Sequence, residues 1–149
     1  MKYYEKIIFS LNFSIKSIVC CDKDDDGESI NPLIGSWTYF QEEIDGELVE
    51  VDDCDKKNTV VFNEDMSFEF IAYGSITGDP EECEIDSDSD TGEWSIPSEG
   101  VLAISYASDN DDSVEEAMYT IDGDTLTITS EYENNNGETE SDVVVYIRK

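Results

Sequence analysis

Four cysteines carry the most distinctive side-chain chemistry in this 149-residue chain. Cys20 and Cys21 are adjacent and stand where an apolar stretch gives way to charged residues, whereas Cys54 and Cys83 lie far apart in polar connecting segments. In an exported protein an exposed thiol oxidises, so Cys54 and Cys83 most simply pair with each other. Such a bridge contributes roughly 3–4 kcal/mol by loop closure. A reactive thiol or a metal pair is the alternative, although neither cysteine has a neighbouring histidine or a CxxC partner.

Alternating acids form a second candidate for chemistry. The segment Asp86-Ser87-Asp88-Ser89-Asp90-Thr91-Gly92 places a carboxylate on every other residue at its start, and such oxygens can converge on a calcium ion. The helix-loop-helix calcium pattern is not matched, because the glycine comes one position late and Pro97 stands at the place of the last glutamate. We expect a solvated acidic loop, with a weak calcium site as the alternative.

A catalytic residue set is not recognisable. The chain has no histidine, which is the commonest general base near neutral pH. It contains no nucleophile elbow, phosphate-binding loop or metal-binding helix motif. Its 38 acidic and 8 basic residues give a formal net charge of −30, which repels phosphate backbones. We therefore predict neither an enzyme nor a nucleic-acid-binding protein, and we expect no cofactor and no resident metal.

The first 20 residues have the layout of an export signal. Two lysines precede an apolar segment, Ile7–Ile15, that is too short to span a membrane. Ile18-Val19-Cys20-Cys21 resembles the lipobox of bacterial lipoproteins, in which the cysteine after the cut is lipidated, and Cys21 fits that position. Lys23-Asp24-Asp25 resembles the signal that sends Bacteroidetes lipoproteins to the outer face of the outer membrane. This resemblance implies a lipid-anchored protein at the cell surface; an ordinary signal peptide is the alternative.

The rest of the chain divides into a tether and one domain. Residues 21–32 are acidic and contain little apolar content, which is typical of a flexible linker. From residue 33 to residue 149, short runs rich in Val, Ile, Thr and aromatic residues alternate with turns made of Asp, Asn and Gly. No segment keeps the apolar spacing of a helix for three turns. The pattern predicts a single all-β domain.

Eight runs have the length and composition of β-strands. Short turns at residues 63–66, 97–100 and 122–124 separate several of them, so neighbours along the chain should pair as antiparallel hairpins. A meander of eight strands most naturally closes on itself, since closure removes its edges. We therefore predict an eight-stranded up-and-down antiparallel β-barrel. The predicted strands are Ile34–Glu43, Thr59–Asn63, Ser67–Gly74, Gly92–Ile96, Val101–Ala107, Ala117–Ile121, Thr125–Glu131 and Asp142–Arg148.

Alternation along these strands identifies an inward face that is rich in aromatic rings. Such rings either line a cavity for a hydrophobic ligand or fill the barrel themselves, since an eight-stranded barrel has little interior volume. The last strand is apolar on both faces, so its register stays open. The candidate lining residues are Tyr39, Phe62, Phe70, Trp94, Tyr106 and Tyr119.

The two ends of the domain carry a pattern that resembles that of lipocalins. Gly35-Ser36-Trp37 opens the first strand, and Arg148 closes the last. In lipocalins the tryptophan plugs the closed end of the barrel and the arginine lies over its ring. The order of this motif, the two later cysteines and Gly92-Glu93-Trp94-Ser95 is similar to that of the lipocalin-like domain of Bacteroidetes lipoproteins. The resemblance assigns Gly35, Trp37 and Arg148 to the barrel floor and Cys54 with Cys83 to a bridge.

The same resemblance implies a binding module without catalytic residues. We expect a monomeric lipoprotein that touches the membrane only through its lipid and binds a small hydrophobic molecule. The alternative is a solid barrel that acts as a structural or protein-interaction module and has no small-molecule ligand.

Overall fold

The computed structural model describes residues 30–75, 82–108, 113–134 and 136–149. The predicted export signal, most of the tether and the lipidation candidate Cys21 lie outside the described residues. The strands are β1 (Gly35–Ile44), β2 (Glu47–Leu48), β3 (Thr59–Phe62), β4 (Ser67–Ile71), β5 (Tyr73–Ser75), β6 (Cys83–Ile85), β7 (Asp90–Ser98), β8 (Val101–Tyr106), β9 (Glu115–Asp122), β10 (Thr125–Glu133) and β11 (Thr139–Arg148), with one 3-10 turn at Asp55–Lys57.

Eight of these strands form a closed antiparallel barrel. The order is β1, β3, β4, β7, β8, β9, β10 and β11, and β11 pairs back onto β1 to close the sheet. The predicted eight-stranded meander is therefore confirmed. The described residues include no helix long and apolar enough to cross a lipid bilayer.

A two-stranded ribbon lies beside the barrel. The run predicted as one strand over Ser67–Gly74 ends at Ile71, because side chains satisfy the next two backbone amides: Ala72 donates to the Ser89 hydroxyl at 2.9 Å, and Tyr73 donates to the Asn58 amide oxygen at 2.8 Å. The chain then continues as β5, which pairs with β6 in a separate ribbon. The sequence did not predict β6, since its segment reads as a polar connection.

The barrel has two distinct ends. We call the end formed by Gly35, Phe62, Ser98, Asp122 and Arg148 the closed end, since these residues begin or finish strands that run in alternating directions. The opposite end, at Ile44, Ile71, Tyr106 and Glu133, is the open end. Most of the buried apolar side chains pack near the closed end, and they are Leu33, Trp37, Val60, Phe62, Phe68, Trp94, Leu102 and Leu126.

A β-bulge at Phe40 changes which side chains face inward at the open end. The pairing of β1 with β11 shifts between Tyr39 and Gln41, so the alternation skips one residue there. Beyond the bulge Glu42 stands opposite Val144, and Val144 stands opposite Ile128. Directly opposed residues share a face of the sheet. Glu42 therefore shares the inward face with Val144.

Candidate functional site

Trp37 and Arg148 close the floor of the barrel. The Trp37 indole is fully buried, and its Nε1 donates a hydrogen bond to the Leu33 carbonyl at 2.8 Å. The Arg148 guanidinium carbon lies 4.0 Å from the centre of the Trp37 ring, a cation–π distance. Its two terminal nitrogens donate to the Ile34 carbonyl at 3.1 Å and the Pro32 carbonyl at 2.6 Å. One side chain thus joins the last strand to the segment that enters the first.

Gly35 is required by the position of this arginine. Its φ of +131° is a conformation that residues with a side chain rarely adopt. A Cβ built there would lie 3.0 Å from Arg148 Nη1. The glycine of the Gly-x-Trp motif therefore leaves room for the guanidinium.

A second layer of rings seals the floor from above. Phe62, Phe68 and Trp94 are all buried, with ring centres of Phe62 5.4 Å from Phe68 and 5.5 Å from Trp94. The Trp94 Nε1 donates to the Asn63 carbonyl at 3.1 Å, so its polar atom is satisfied. Phe62 and Phe68 also line the cavity described next, so this layer forms its lower boundary.

Above the aromatic layer lies a cavity of about 230 Å³. Its apolar part is made by inward side chains of six strands, and its polar part is made by residues near the open end. Among the described residues the apolar lining comprises Val60, Phe62, Phe68, Phe70, Leu102, Ile104, Tyr106, Ala117, Ile128, Val144 and Tyr146. The polar lining comprises Glu115, Glu116 and Ser130.

Two carboxyl groups meet on the inward side of the barrel near this cavity. Asp142 stands opposite Ser130, which lines the cavity, and opposite Ile44 on β1, so it shares the inward face with Glu42 two residues away. Burial and then the negative charge of Asp142 raise the pKa of Glu42, and burial raises the pKa of Asp142. One oxygen of Asp142, Oδ1, is buried and accepts no hydrogen bond within the described chain.

Two tyrosines lie beside the carboxyl pair. The Tyr39 hydroxyl donates to Glu42 Oε2 at 3.4 Å, and its ring meets the Tyr146 ring edge-on with centres 6.2 Å apart. Burial, followed by the charge of Glu42, raises the pKa of Tyr39 to about 12. Burial also raises the pKa of Tyr146, with smaller effects from Tyr106 and the charge of Glu42. Both hydroxyls therefore stay protonated and neutral at physiological pH.

The six aromatic candidates have different positions. Phe62, Phe70 and Tyr106 line the cavity, whereas Tyr39, Trp94 and Tyr119 are not among its lining residues. Trp94 belongs to the floor, because its ring packs against Phe62. Tyr39 is turned toward Tyr146 and Glu42, and Tyr119 packs against the buried core.

The predicted bridge between Cys54 and Cys83 is confirmed. The two residues are joined by a disulfide across a Cα–Cα distance of 5.3 Å. Asp52 Oδ1 accepts from the backbone amides of Cys54 at 2.8 Å and Asp55 at 2.9 Å, which fixes the turn on one side of the bridge. The disulfide therefore ties the 3-10 turn to β6 outside the barrel wall.

In the segment with alternating acids, residues 86–89 form a turn, and Asp90, Thr91 and Gly92 begin β7. Asp86 Oδ1 accepts from the Ser87 hydroxyl at 3.1 Å and from the Asp88 amide at 3.2 Å. In the described part of the chain, no group of three or more Asp, Glu or Cys side chains is arranged to hold a metal ion.

Sequence reasoning missed Glu42, Asp142 and Tyr146 as residues of the lumen. Strict alternation from Trp37 and Tyr39 turns Glu42 outward, and only the bulge at Phe40 reverses this. Asp142 and Tyr146 lie on the last strand, whose composition is apolar on both faces. Pairing of Tyr146 with both Tyr39 and Leu126 fixes the register and turns this set inward.

The match to a protein-family model agrees with this architecture. Residues 33–128 match the family model described as a lipocalin-like domain. A search of curated proteins finds no match. Among solved structures the chain is similar to an odorant binding protein, OBP1, at 10% identity and a TM-score of 0.42, covering 78% of this chain and 71% of that one. It is also similar to a deswapped triple mutant of bovine odorant binding protein at 10% identity and a TM-score of 0.43, covering 78% and 74%.

Proposed function

The chain belongs to the lipocalin-like domain family, and we propose that it is a monomeric binding module, not an enzyme, that holds a small hydrophobic molecule in its lumen. The cavity of about 230 Å³ with its largely apolar lining is the observation that carries this proposal. Apolar protein cavities of roughly 150 Å³ stay dry and take up benzene. Pockets for drug-sized molecules are larger, about 300–1,000 Å³. The expected ligand is therefore one aromatic ring or a short alkyl chain.

Binding is tested with three one-ring probes of similar size: 2-phenylethanol, 2-phenylethylamine and phenylacetate. Isothermal titration calorimetry should show saturable binding of at least one probe. Ala117→Trp places an indole in the cavity and should abolish that binding. Thr120→Trp is the matched control, since Thr120 is exposed on the same strand and lies outside the cavity lining.

Two results would contradict ligand binding in the lumen. One is the absence of binding for all three probes. The other is binding that survives Ala117→Trp unchanged. In either case the cavity is a packing void, and the barrel fits the second function, a structural or protein-interaction module.

The proposal includes a lipid anchor at Cys21 and a position on the outer face of the outer membrane, as in Bacteroidetes lipoproteins. The lipobox-like sequence Ile18–Cys21 and the following Lys23-Asp24-Asp25 support it. The described chain enters the barrel at its closed end, where Leu33 is fully buried and Gly35 begins β1. This direction of entry supports an anchor on the preceding tether.

The anchor is tested by metabolic labelling with a palmitate analogue in a bacterial host that sorts lipoproteins. Cys21→Ala should lose the label and move to the soluble fraction. Cys20→Ala is the control, because alanine is a usual residue before the cut and labelling should persist. A labelled Cys21→Ala protein would contradict the anchor, and a domain protected from protease in intact cells would contradict the surface location.

A further inference from the structure

We infer that the lumen selects small amphipathic cations, an apolar ring or short chain carrying a protonated amine, over neutral and anionic molecules of the same size. This inference rests on the proposed function, since it names the chemical class of the ligand for the same cavity. It is carried by the distribution of apolar and acidic groups along the barrel axis.

The lower cavity offers only apolar contacts to a ligand. Phe62, Phe68 and Phe70 approach it from β3 and β4, and Ile128 and Val144 approach it from β10 and β11. A ring or alkyl chain placed here removes apolar surface of both the ligand and the cavity wall from water, which favours binding. The apolar end of the ligand therefore points toward the floor.

The upper lumen offers acidic groups from three strands. Glu115 on β9 lines the cavity, and the pair of Glu42 on β1 and Asp142 on β11 faces inward beside the lining residues Val144 and Ser130. The Tyr146 ring also lines the cavity and is close enough to both carboxylates for their charges to raise its pKa. A ligand whose apolar end lies on the floor thus has its other end near carboxylates.

None of the described lysine or arginine side chains lines the cavity, where an anionic ligand would need a positive partner. Between Lys57 and Arg148 the sequence contains no lysine, arginine or histidine, so no connection after β3 supplies a cation to the open end. Arg148 is engaged at the floor, and Lys56, Lys57 and Lys149 border a separate surface hollow with Thr38 and Tyr73. A fatty acid or another organic anion would therefore leave its charge unpaired beside Glu115 and the carboxyl pair.

One buried carboxyl oxygen in the lumen has no hydrogen-bond donor among the described residues, and a ligand could supply that donor. Asp142 Oδ1 is buried and accepts no hydrogen bond from the described residues. A buried acceptor without a donor is costly, and a hydrogen bond from a charged donor is about twice as strong as one between neutral groups. A protonated amine supplies both the hydrogen and the positive charge, whereas an alcohol supplies only the hydrogen.

The three probes separate this inference from the proposed function. In wild-type protein at neutral pH and physiological ionic strength, 2-phenylethylamine should bind about tenfold or more tightly than 2-phenylethanol. Phenylacetate should bind about tenfold or more weakly than the alcohol. Equal affinities, or tighter binding of phenylacetate, would overturn the inference while leaving the proposed function intact. Failure of all three to bind would overturn both.

Variants then locate the selectivity. The double variant Glu42→Gln, Asp142→Asn should bind the amine and the alcohol within about threefold of each other. The matched control is Glu69→Gln, Glu93→Gln, which removes the same charge from exposed positions on β4 and β7 and should keep the wild-type preference. Equal loss of preference in both variants would show that overall charge selects the probe, and the inference would fail.

Discussion

The planar, charged side chain of Arg148 stabilises the barrel through contacts with one aromatic ring and two carbonyl oxygens. It covers the Trp37 ring and donates to two carbonyls of the entering segment. Its interaction with Asp124 is weaker by geometry, since the nearest nitrogen and oxygen are 3.9 Å apart and the Asp124 side chain is 81% exposed. Surface pairs of this kind contribute little.

Arg148→Ala should therefore lower the free energy of unfolding by about 2–3 kcal/mol. Arg148→Lys keeps the charge but loses the bidentate geometry, so an intermediate loss is expected. Urea titration followed by fluorescence measures both. Asp124→Asn serves as the control and should cost less than about 0.5 kcal/mol. A cost for Asp124→Asn equal to that of Arg148→Ala would contradict the role of the floor contacts.

Glu42 and Asp142 should make stability depend on pH in a direction set by their raised pKa values. The folded state binds their protons more tightly than the unfolded state, so the free energy of unfolding falls as pH rises from about 4 through the raised values. The titratable neighbours of the two carboxyl groups are Asp55, whose charge acts on Glu42, and the hydroxyls of Tyr39 and Tyr146.

Asp142→Asn should therefore gain stability relative to wild type as pH rises above about 4. A gain of up to about 1 kcal/mol is expected, because the side chains stay partly solvated. Urea unfolding at several pH values provides the measurement. Glu93→Gln removes one exposed charge and controls for general repulsion. The interpretation is wrong if the two variants gain equally.

At the scale of elements, the β3–β4 hairpin carries a residue of unusual conformation. Asn63 and Ser67 are joined by a backbone hydrogen bond of 3.0 Å, leaving Glu64, Asp65 and Met66 in the loop. Three-residue hairpin loops end in a left-handed residue, normally glycine, and Met66 occupies that place with a φ of +67°.

Met66→Gly should raise the free energy of unfolding by about 1 kcal/mol, because glycine removes the steric cost of the left-handed conformation. Met66→Ala is the matched control, since alanine retains the Cβ and should give no comparable gain. Thermal and urea unfolding distinguish the two variants. Equal stability of the glycine and alanine variants would show that the Met66 conformation is not strained.

The disulfide stabilises an element outside the barrel wall. It joins Cys54, before the 3-10 turn, to Cys83 at the start of β6, across a sequence separation of 29 residues. Loop-closure entropy predicts that Cys54→Ala, Cys83→Ala lowers the free energy of unfolding by roughly 3–4 kcal/mol. Reductant should destabilise the wild type and leave the double variant unchanged. A loss below about 1 kcal/mol would contradict this estimate.

At the scale of the whole molecule, the net charge of −30 opposes the compact state. Sodium chloride should therefore raise the free energy of unfolding in urea, by about 1 kcal/mol between low and physiological ionic strength. Magnesium chloride at equal ionic strength is the control for general screening. Stability that is independent of salt would contradict the repulsion, and a gain specific to magnesium would indicate a cation site.

The sequence by itself determined the architecture of the domain, the residues of the barrel floor and the disulfide. Alternation with period two is a local property of each strand, so it identified the barrel strands and most inward residues of β3, β4 and β7 to β10. Gly35, Trp37 and Arg148 were identified as a set through the resemblance to lipocalins, and the structure brings their contacts together. The bridge between Cys54 and Cys83 followed from the cost of exposed thiols in an exported chain.

Only the tertiary structure decided what the lumen offers to a ligand. The bulge at Phe40 depends on pairing between the first and last strands, and this pairing turns Glu42 inward beside Asp142. The register of β11 depends on two neighbours, since both of its faces are apolar. The cavity volume is the space left by inward side chains from six strands, which no single run of sequence contains. Local patterns determine which side of a strand each side chain faces, whereas strand register and cavity volume arise only when strands distant in sequence pair with each other.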